Sequence, residues 1–336
     1  MSKWYQKVGN ENDVVLNTCI RLVRNLDEFP FPARLGKNER EQVNNIIRDI
    51  ILGENEFSLS YIETDSLSDS QLISLAERYL ISPEFASESE GRGLLLSEDE
   101  SISIMLCEED HIRLQTISSG LDFDNTYDVI SSLDSFIDSN AEYAFDEKIG
   151  YLTQSPSNLG TGMRASVMLH LPALSITGNM SRLASTVSKL GLTLKSYYTN
   201  GATPIANIYQ LSNQVTLGIS EKAALKNLSA IAMQLVSQER QSREHVVKDD
   251  RYIDKIWRSY GILQTAYMMN CREFMELVSM VRLGGACGIL DVDLQCIDEL
   301  MIDMQPATLN AFNGRELSGN ERDTIRAKMI KEKICN

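Results

Sequence analysis

Two short segments of the sequence carry residue types that could bind phosphate and a cation side by side. Residues 107–113 read Cys-Glu-Glu-Asp-His-Ile-Arg, which places three adjacent carboxylates beside one arginine. Residues 155–166 contain a glycine turn followed by Arg164. Neighbouring carboxylates repel one another unless cations share the site, and those cations could be Mg²⁺ or a guanidinium held by two parallel hydrogen bonds. The pattern predicts a site that clamps phosphates and holds a cationic acceptor.

Each of these segments also has a simpler structural explanation. An acidic turn is most often a solvated loop, and a glycine turn ahead of a strand is often no more than a turn. Gly160 and Gly162 could present backbone N–H groups to an anion. No Gly-Lys-Ser/Thr follows them, which excludes a P-loop ATPase as far as a motif can exclude it.

A third segment places two arginines on one face of a predicted helix. Residues 322–327 read Arg-Asp-Thr-Ile-Arg-Ala, and Ser318 or Asn320 could cap the helix. Arg322 and Arg326 are four residues apart and are therefore neighbours on the helix surface. By itself this arrangement is typical of a solvated helix with local ion pairs.

The composition predicts a soluble globular protein with more than one domain. The chain has 336 residues, of which 43% are hydrophobic and 24% charged. A net charge of −15 makes nucleic acid and anionic membranes unfavourable partners. The first residues lack the apolar core of a signal peptide, and no stretch is apolar enough to span a membrane. Six scattered cysteines indicate reduced thiols in the cytoplasm and give a zinc site little support.

The hydrophobic periodicity predicts an α+β fold in three parts. Residues 1–85 are expected to form a small, mainly helical N-terminal subdomain, and residues 86–245 an antiparallel β-sheet flanked by helices. Residues 246–336 are expected to form a helical C-terminal domain. Strands are predicted at residues 102–106, 112–116, 166–171, 191–197 and 207–217. Helices are predicted at residues 38–52, 69–80, 124–139, 180–190, 221–247, 250–268 and 271–283, with breaks at Asn270 and at Gly284-Gly285.

Taken together, the segments resemble the ATP:guanido phosphotransferases (the phosphagen kinase family), and most closely the bacterial protein-arginine kinases. The resemblance covers nearly the whole chain and keeps the order of the family's motifs. The motifs are residues 20–25 (IRLVRN), 108–111 (EEDH), 158–161 (NLGT), 164–172 (RASVMLHLP) and 212–218 (SNQVTLG). The resemblance supports the α+β prediction and implies transfer of the ATP γ-phosphoryl group to a guanidinium nitrogen.

The resemblance also implies roles for individual residues. Glu109 would orient the guanidinium and accept its proton, because a guanidinium keeps its proton up to a pH above ~12; Asp110 belongs to the same catalytic motif. Mg²⁺ would arrive with ATP, and no residue is expected to bind a metal directly. The ATP-binding residues implied by matching position are Arg21, Arg113, Arg164, Ala165, Ser166, Val167 and Met168.

Four positions depart from the family pattern and predict a degraded active site. Cys19 and Lys195 stand where the family has arginines, and Tyr79 stands where it has a nucleotide-contacting histidine. Asn200 stands where it has a second substrate-binding glutamate. A transition-state arginine can contribute ~10³–10⁵ in rate, so turnover is in doubt, whereas nucleotide binding could survive on three arginines.

Two functional hypotheses follow from the resemblance. The first is a cytoplasmic protein-arginine kinase that marks proteins for an AAA+ protease. The second is a catalytically weak or silent pseudokinase that binds phosphoarginine through Arg322, Asp323 and Arg326, and that acts as a regulator or adaptor. In both cases the resemblance implies protein partners and a homodimer. A kinase of free arginine is a more distant alternative, because the C-terminal motif belongs to the protein-directed branch of the family.

Overall fold

The protein forms an antiparallel sheet with helices on both faces. The structure is a computed structural model that describes residues 1–54, 57–200 and 203–334, without the side chains of residues 200 and 203. The strands are β1 (Val15–Arg24), β2 (Leu59–Glu63), β3 (Gly93–Ser97), β4 (Ile102–Leu106), β5 (Ile112–Ser119), β6 (Phe145–Asp146), β7 (Gly150–Tyr151), β8 (Met163–His170), β9 (Leu192–Ser196), β10 (Thr199–Asn200), β11 (Thr203–Pro204) and β12 (Ile208–Asn213). The α-helices are α1 (Lys37–Glu54), α2 (Asp69–Glu77), α3 (Pro83–Ala86), α4 (Phe123–Asp138), α5 (Pro172–Ile176), α6 (Met180–Ser188), α7 (Glu221–Val246), α8 (Asp250–Thr265), α9 (Cys271–Ala286), α10 (Leu294–Asp303), α11 (Pro306–Asn313) and α12 (Gly319–Ile334). The predicted α+β class is confirmed.

The sheet places the first strand of the chain at its centre. Its strands follow the order β2-β3-β4-β5-β1-β8-β12-β9, and β1 pairs antiparallel with both β5 and β8. Successive side chains of a strand point to opposite faces. Ile20 and Leu22 therefore enter the core on one face, whereas Cys19 and Arg21 belong to the other.

The predicted helical character of residues 1–85 is wrong for β1 and β2, although α1 and α2 are present where they were expected. The physical reason is that β1 is buried on both faces along almost its whole length. A strand buried on both sides lacks the alternation of polar and apolar residues that marks a half-exposed strand. The domain boundaries at residues 85 and 245 stay a prediction.

The predicted break at Gly284-Gly285 is also wrong, because α9 continues to Ala286. A Cβ atom on Gly284 would meet the side chains of Ile256 and Leu290. Because Gly284 has no side chain, α9 can pack closely against Ile256 and Leu290. In the part of the chain that the structure describes, no helix is long and apolar enough to cross a membrane.

The two faces of the sheet are covered differently. Helices α1, α4 and α7 close a core on one face that includes Ile20 and Val167. On the other face the C-terminal helices cover the end of β8, where His170 Nε2 lies 2.9 Å from Ser279 Oγ and Met168 joins the C-terminal core. The remainder of that face carries Arg21 and Arg164, which line a cleft.

Two polar links attach the C-terminal helices to the rest of the molecule. Arg282 of α9 is fully buried; it donates to the Asp298 carboxylate at 2.6 Å and to the carbonyl oxygens of Asn12 at 2.6 Å and Asp13 at 2.9 Å. At the start of α11, the backbone N–H groups of residues 307 and 308 donate to the carboxylate of Glu77, which ends α2.

We expect Glu77→Ala to lower the free energy of unfolding by about 1–2 kcal/mol, because the first N–H groups of α11 would lose their acceptor. Urea denaturation followed by circular dichroism would measure the change. Glu41→Ala, which removes an exposed glutamate from α1, is the matched control and should change stability by less than about 0.5 kcal/mol. Equal effects of the two substitutions would contradict the proposed link.

Candidate active site

Arg21 occupies the middle of the site because β1 is a central strand. Its Cα partners on the neighbouring strands are Gln115 of β5 and Arg164 of β8. Residues opposite each other in antiparallel strands have Cβ atoms about 4.5–5.5 Å apart. Gln115 Oε1 accepts a 2.6 Å hydrogen bond from Arg21 Nε, whereas Arg164 places a like charge directly opposite. Both arginines line the same two hollows, where an anion would be attracted by the two positive charges.

The Arg164 guanidinium is held by acceptors on three sides. Its Nε donates to Asn158 Oδ1 at 3.1 Å, and Nη2 donates to the Ser157 carbonyl at 2.7 Å. Nη1 donates to the carbonyl oxygens of Asn213 and Gln214, each at 3.0 Å. Partial burial lowers the pKa of Arg164, but an arginine remains protonated at physiological pH. The site therefore contains a preorganised positive charge.

The acidic turn between β4 and β5 holds its three carboxylates in different ways. Glu108 receives a 2.6 Å hydrogen bond from Arg113 Nη1 and another from the Ser82 hydroxyl. Asp110 is buried; its Oδ1 accepts from Asn25 Nδ2 at 2.7 Å and from the backbone N–H of residue 154 at 2.8 Å. Glu109 is the exposed member, and so it is the carboxylate that a substrate can reach.

Crowding and desolvation act on the proton affinity of this turn. Partial desolvation raises the pKa of Glu109, and the nearby charges of Asp110 and Glu108 raise it further, against the effect of Arg113. Burial raises the pKa of Asp110 as well, although its hydrogen bonds oppose the shift. Asp110 Oδ2 is buried without a hydrogen-bond partner among the described residues. A carboxylate with a raised pKa is suited to accept a proton.

The charged groups line two adjoining hollows that share Arg21 and Arg164, and we refer to both together as the arginine cleft. The first, of about 230 Å³, also contains Glu108, Glu109, Asp110 and Arg113 in its wall. The second, of about 360 Å³, is lined in addition by Ala165, Ser166 and Lys195. The cleft thus places four cationic side chains next to one cluster of carboxylates. An anionic phosphoryl donor and a cationic acceptor could bind side by side in such a site.

Three of the residues implied as ATP-binding direct their side chains into a core. Val167 lies in the core on the opposite face of the sheet, and Met168 lies in the C-terminal core. Ala165 also directs its side chain into a core, and its backbone N–H donates to Asn213 Oδ1 at 2.8 Å. Of the side chains in this segment, Arg164 and Ser166 reach the cleft. The binding roles of all these residues stay a prediction.

The departing positions lie next to an aromatic cluster that consists of Tyr79, Tyr197 and Tyr198. The hydroxyl oxygens of Tyr79 and Tyr198 are 2.6 Å apart, and the Tyr197 ring centroid lies 5.3 Å from that of Tyr79. Cys19 is buried, and the Arg21 guanidinium lies close enough to lower the pKa of its thiol against the larger effect of burial. The Asn200 side chain lies outside the described residues. Cys19 is thus buried and Tyr79 packs within the tyrosine cluster; the predicted loss of binding groups at these positions stays a prediction.

The C-terminal motif forms its own cluster on α12. Arg326 is buried and donates to the carbonyl oxygens of Met304 at 2.9 Å and Met269 at 2.8 Å. It also pairs with Asp323 at 2.8 Å, while Arg322 donates to the Leu317 carbonyl at 2.8 Å. Arg326 thus holds loops of the C-terminal domain together. Arg322 and Asp323 are half-buried at the surface.

Several residues that build the site were missed in the sequence. Gln115 orients Arg21 and also donates to the Tyr79 carbonyl at 2.7 Å; its position two residues after Arg113 on a predicted strand was a signal for the same face. Arg24 is fully buried and donates to the Thr161 carbonyl at 2.9 Å. No local pattern distinguishes this buried arginine from one on the surface.

Comparison with known proteins identifies the family. Residues 38–242 match the family model described as ATP:guanido phosphotransferase, C-terminal catalytic domain. Residues 249–336 match the model described as protein-arginine kinase McsB C-terminal domain. The chain therefore belongs to the ATP:guanido phosphotransferase family.

Within that family the chain belongs to the protein-arginine kinase branch. It is 42% identical over 337 residues to a protein-arginine kinase of Halothermothrix orenii, covering 99% of this chain and 97% of that protein. It is 41% identical over 329 residues to one of Caldanaerobacter subterraneus, covering 96% and 98%.

Solved structures with lower sequence identity support the fold alone. The chain superposes on a lombricine kinase with a TM-score of 0.59 and 23% identity, covering 70% of each chain. A duplicated taurocyamine kinase from Schistosoma mansoni gives a TM-score of 0.61 and 24% identity, covering 69% of this chain and 34% of that one. The antiparallel sheet flanked by helices is thus that of guanidino kinases.

The glycine turn under Arg164 offers a test of the site's construction. Gly160 has φ of +101°, and a Cβ there would overlap the Thr216 backbone. Gly218 has φ of +75° with open space around it. We expect Gly218→Ala to cost about 1 kcal/mol of unfolding free energy and Gly160→Ala to cost about 1–3 kcal/mol more because of the overlap. Chemical denaturation measures both, and equal costs would contradict the packing of this turn.

Proposed function

We propose that the protein is a protein-arginine kinase with a weakened active site, which transfers the γ-phosphoryl group of MgATP to arginine side chains of proteins. The observation that carries the proposal is the arginine cleft, where Arg21, Arg113, Arg164 and Lys195 line walls that end at Glu109. Phosphoryl transfer depends mainly on positioning and on cations around the transferred group. The reaction is the one implied by the family, and the cleft places its cations next to a carboxylate, as transfer of a phosphoryl group to a guanidinium requires.

The cations would act on the phosphates of ATP. Arg21 and Arg164 both line the two hollows of the cleft, so phosphate groups bound there would be attracted by both guanidinium groups. Mg²⁺ bound to the phosphates would neutralise further charge; no group of three or more His, Cys, Asp or Glu among the described residues is arranged to hold a metal itself. Arg113, already paired with Glu108, would stand on the acidic side of the transferred group.

Glu109 would act on the acceptor. Its carboxylate can hold a guanidinium nitrogen and accept the proton that this nitrogen loses as the N–P bond forms. The bond between the γ-phosphorus and its bridging oxygen breaks at the same time, and ADP leaves with the electron pair of that bond. Asp110 is fixed by Asn25 and by the backbone of residue 154, so it would position the turn.

The departures from the family would lower the rate. Lys195 keeps one positive charge in the cleft but cannot make the two parallel hydrogen bonds of an arginine. Cys19 supplies no charge, and Asn200 cannot accept a proton. Because residues that act as a unit lose rate non-additively, a slow kinase is compatible with these positions. An adaptor protein could contribute the missing groups.

A second candidate function is that of a phosphoarginine-binding regulator without turnover. It is favoured by the contrast between the Arg322-Asp323-…-Arg326 motif and the substituted cleft, although Arg326 is buried against carbonyl groups and would support the motif through Asp323. Arg322 and Asp323 are half-buried at the surface, where a phosphoryl group and a guanidinium could meet opposite charges. In either role we propose a cytoplasmic homodimer that acts together with an AAA+ protease on marked proteins.

The two functions are separated by incubating the protein with MgATP and an arginine-rich protein and detecting acid-labile phosphoarginine by mass spectrometry under non-acidic conditions. We expect slow product formation from the unaltered protein and faster formation by Lys195→Arg combined with Asn200→Glu. Adding Cys19→Arg extends the series, with its folding checked because position 19 is buried. Product from the altered proteins alone would support the regulator, and no product from any would refute the kinase.

The role of Glu109 predicts a specific pH dependence. A base must be deprotonated to act, and the pKa of Glu109 is raised. The rate should therefore fall on acidification at a pH above the ordinary glutamate value of about 4.3. Glu109→Gln should lose ~10²–10⁴ in rate, and its residual rate should lack this acidic limb. A rate profile measured by ADP release checks both, with Glu41→Gln on α1 as control because Glu41 is exposed and does not act on the pKa of Glu109. Unchanged turnover in Glu109→Gln would exclude the proposed base.

A further inference from the structure

A large groove lies beside the arginine cleft and has no part in the reaction as described so far. It encloses about 540 Å³, and we refer to it as the α2–α3 groove. The residues of its wall used below are Asp69, Ile73, Glu77, Pro83, Ala86 and Tyr197. Its size is sufficient for several side chains of a polypeptide.

One short helix separates the groove from the acidic corner of the cleft. The residue that caps α3, Ser82, binds Glu108 in the cleft, while Pro83 and Ala86 of the same helix line the groove. Glu84 lies close enough to Glu109 to raise the pKa of that carboxyl. The groove and the proposed base are therefore on the two sides of a single helical turn.

Tyr197 gives a second connection between the two spaces. It lines the groove, and its ring contacts Tyr79 and Tyr198. The Arg21 guanidinium is near enough to lower the pKa of the Tyr197 hydroxyl, against a larger effect of burial. Tyr197 therefore lies between the groove and Arg21.

The groove combines apolar surface with negative charge. Ile73 is 47% exposed and Tyr197 38% exposed, so both present apolar surface to the groove. Asp69 is exposed at the rim, and no lysine or arginine is among the described lining residues. Glu77 is already bound to α11, so Asp69, together with Glu84 beyond α3, supplies the charge available to a partner.

We propose that the α2–α3 groove binds the stretch of substrate protein that flanks the acceptor arginine, and that it selects an extended segment with an apolar and a basic side chain. This inference rests on the proposed function. The acceptor is part of a polypeptide, so its neighbours must lie beside the cleft, and the groove is the adjacent surface whose charge complements a cationic segment.

The dimensions set the spacing of the preferred residues. A helix with its side chains is about 10–12 Å wide, and an extended chain advances about 3.3–3.6 Å per residue. A segment crossing α3 therefore places the side chain that enters the groove about three or four residues along the chain from the arginine held at Glu109. An apolar residue at that distance, with a lysine next to it, should be preferred over serine and glutamate.

The test measures binding of fluorescein-labelled peptides by anisotropy, with the full-length protein and without nucleotide. One peptide carries a central arginine with leucine and lysine three and four residues away; the other has serine and glutamate there. We expect at least roughly tenfold tighter binding of the first peptide and loss of that advantage in the double variant Asp69→Lys with Ile73→Lys. Ile73→Ala, a milder change, should lose part of it.

The control is the double variant Asp124→Lys with Val129→Lys on α4. Like Asp69 and Ile73, these are an acidic residue in the first turn of a helix and an exposed aliphatic residue. This control should keep the preference. Equal affinity for both peptides, or equal loss in the control, would overturn the proposal. The proposal would also be overturned if neither peptide bound and sedimentation showed that the protein self-associates in a way that Ile73→Lys abolishes. A second copy of the chain would then occupy the groove.

A parallel assay of phosphorylation distinguishes this proposal from the kinase proposal. N-acetylarginine amide, which has no flanking residues, should react equally with the unaltered protein and with the Asp69→Lys, Ile73→Lys variant, while the leucine–lysine peptide should lose about tenfold in kcat/KM in the variant. If no acceptor is phosphorylated but the peptide preference in binding persists, the kinase proposal fails and the groove assignment stands.

Discussion

The structure is organised around a pair of like charges, Arg21 and Arg164, which β1 and β8 place directly opposite each other. Although the two residues are neighbours in the sheet, each guanidinium group is held by its own set of contacts. Gln115 holds Arg21 from one side, and the turn at Ser157 and Asn158 holds Arg164 from the other. The position of β1 in the centre of the sheet makes this possible, because it brings a strand from the start of the chain between β5 and β8.

The supports extend well beyond the charged residues. Asn213 receives a hydrogen bond from Arg164 through its carbonyl oxygen and accepts another from the backbone of Ala165 through its side chain. Arg24 donates to the Thr161 carbonyl in the glycine turn and stacks on the Tyr151 ring, 3.5 Å from its centroid. The geometry of the cleft therefore depends on uncharged residues as well as on its arginines.

The sequence predicted the acidic turn, the glycine turn and most of the helices, because these depend on local spacing and on turn residues. It did not predict β1 as a strand, because burial on both faces removes the alternating pattern. It also placed Val167 and Met168 with the ATP-binding residues, although the pleat of β8 directs their side chains into two different cores. The position of Arg326 in the interior depends on carbonyl groups of residues 269 and 304, which are distant in sequence. Long-range packing of this kind has no local signal.

The C-terminal helices and the proposed substrate surface share residues, which gives a physical reason for the two domains to act together. Arg326 binds the Met304 carbonyl, and the next residue, Gln305, lines the α2–α3 groove. Glu77 accepts a hydrogen bond from the backbone at the start of α11 and lines the same groove. The end of α2 lies two residues before Tyr79, which contacts Tyr197 and Tyr198. The C-terminal helices, the groove and the tyrosine cluster are therefore joined through residues in direct contact.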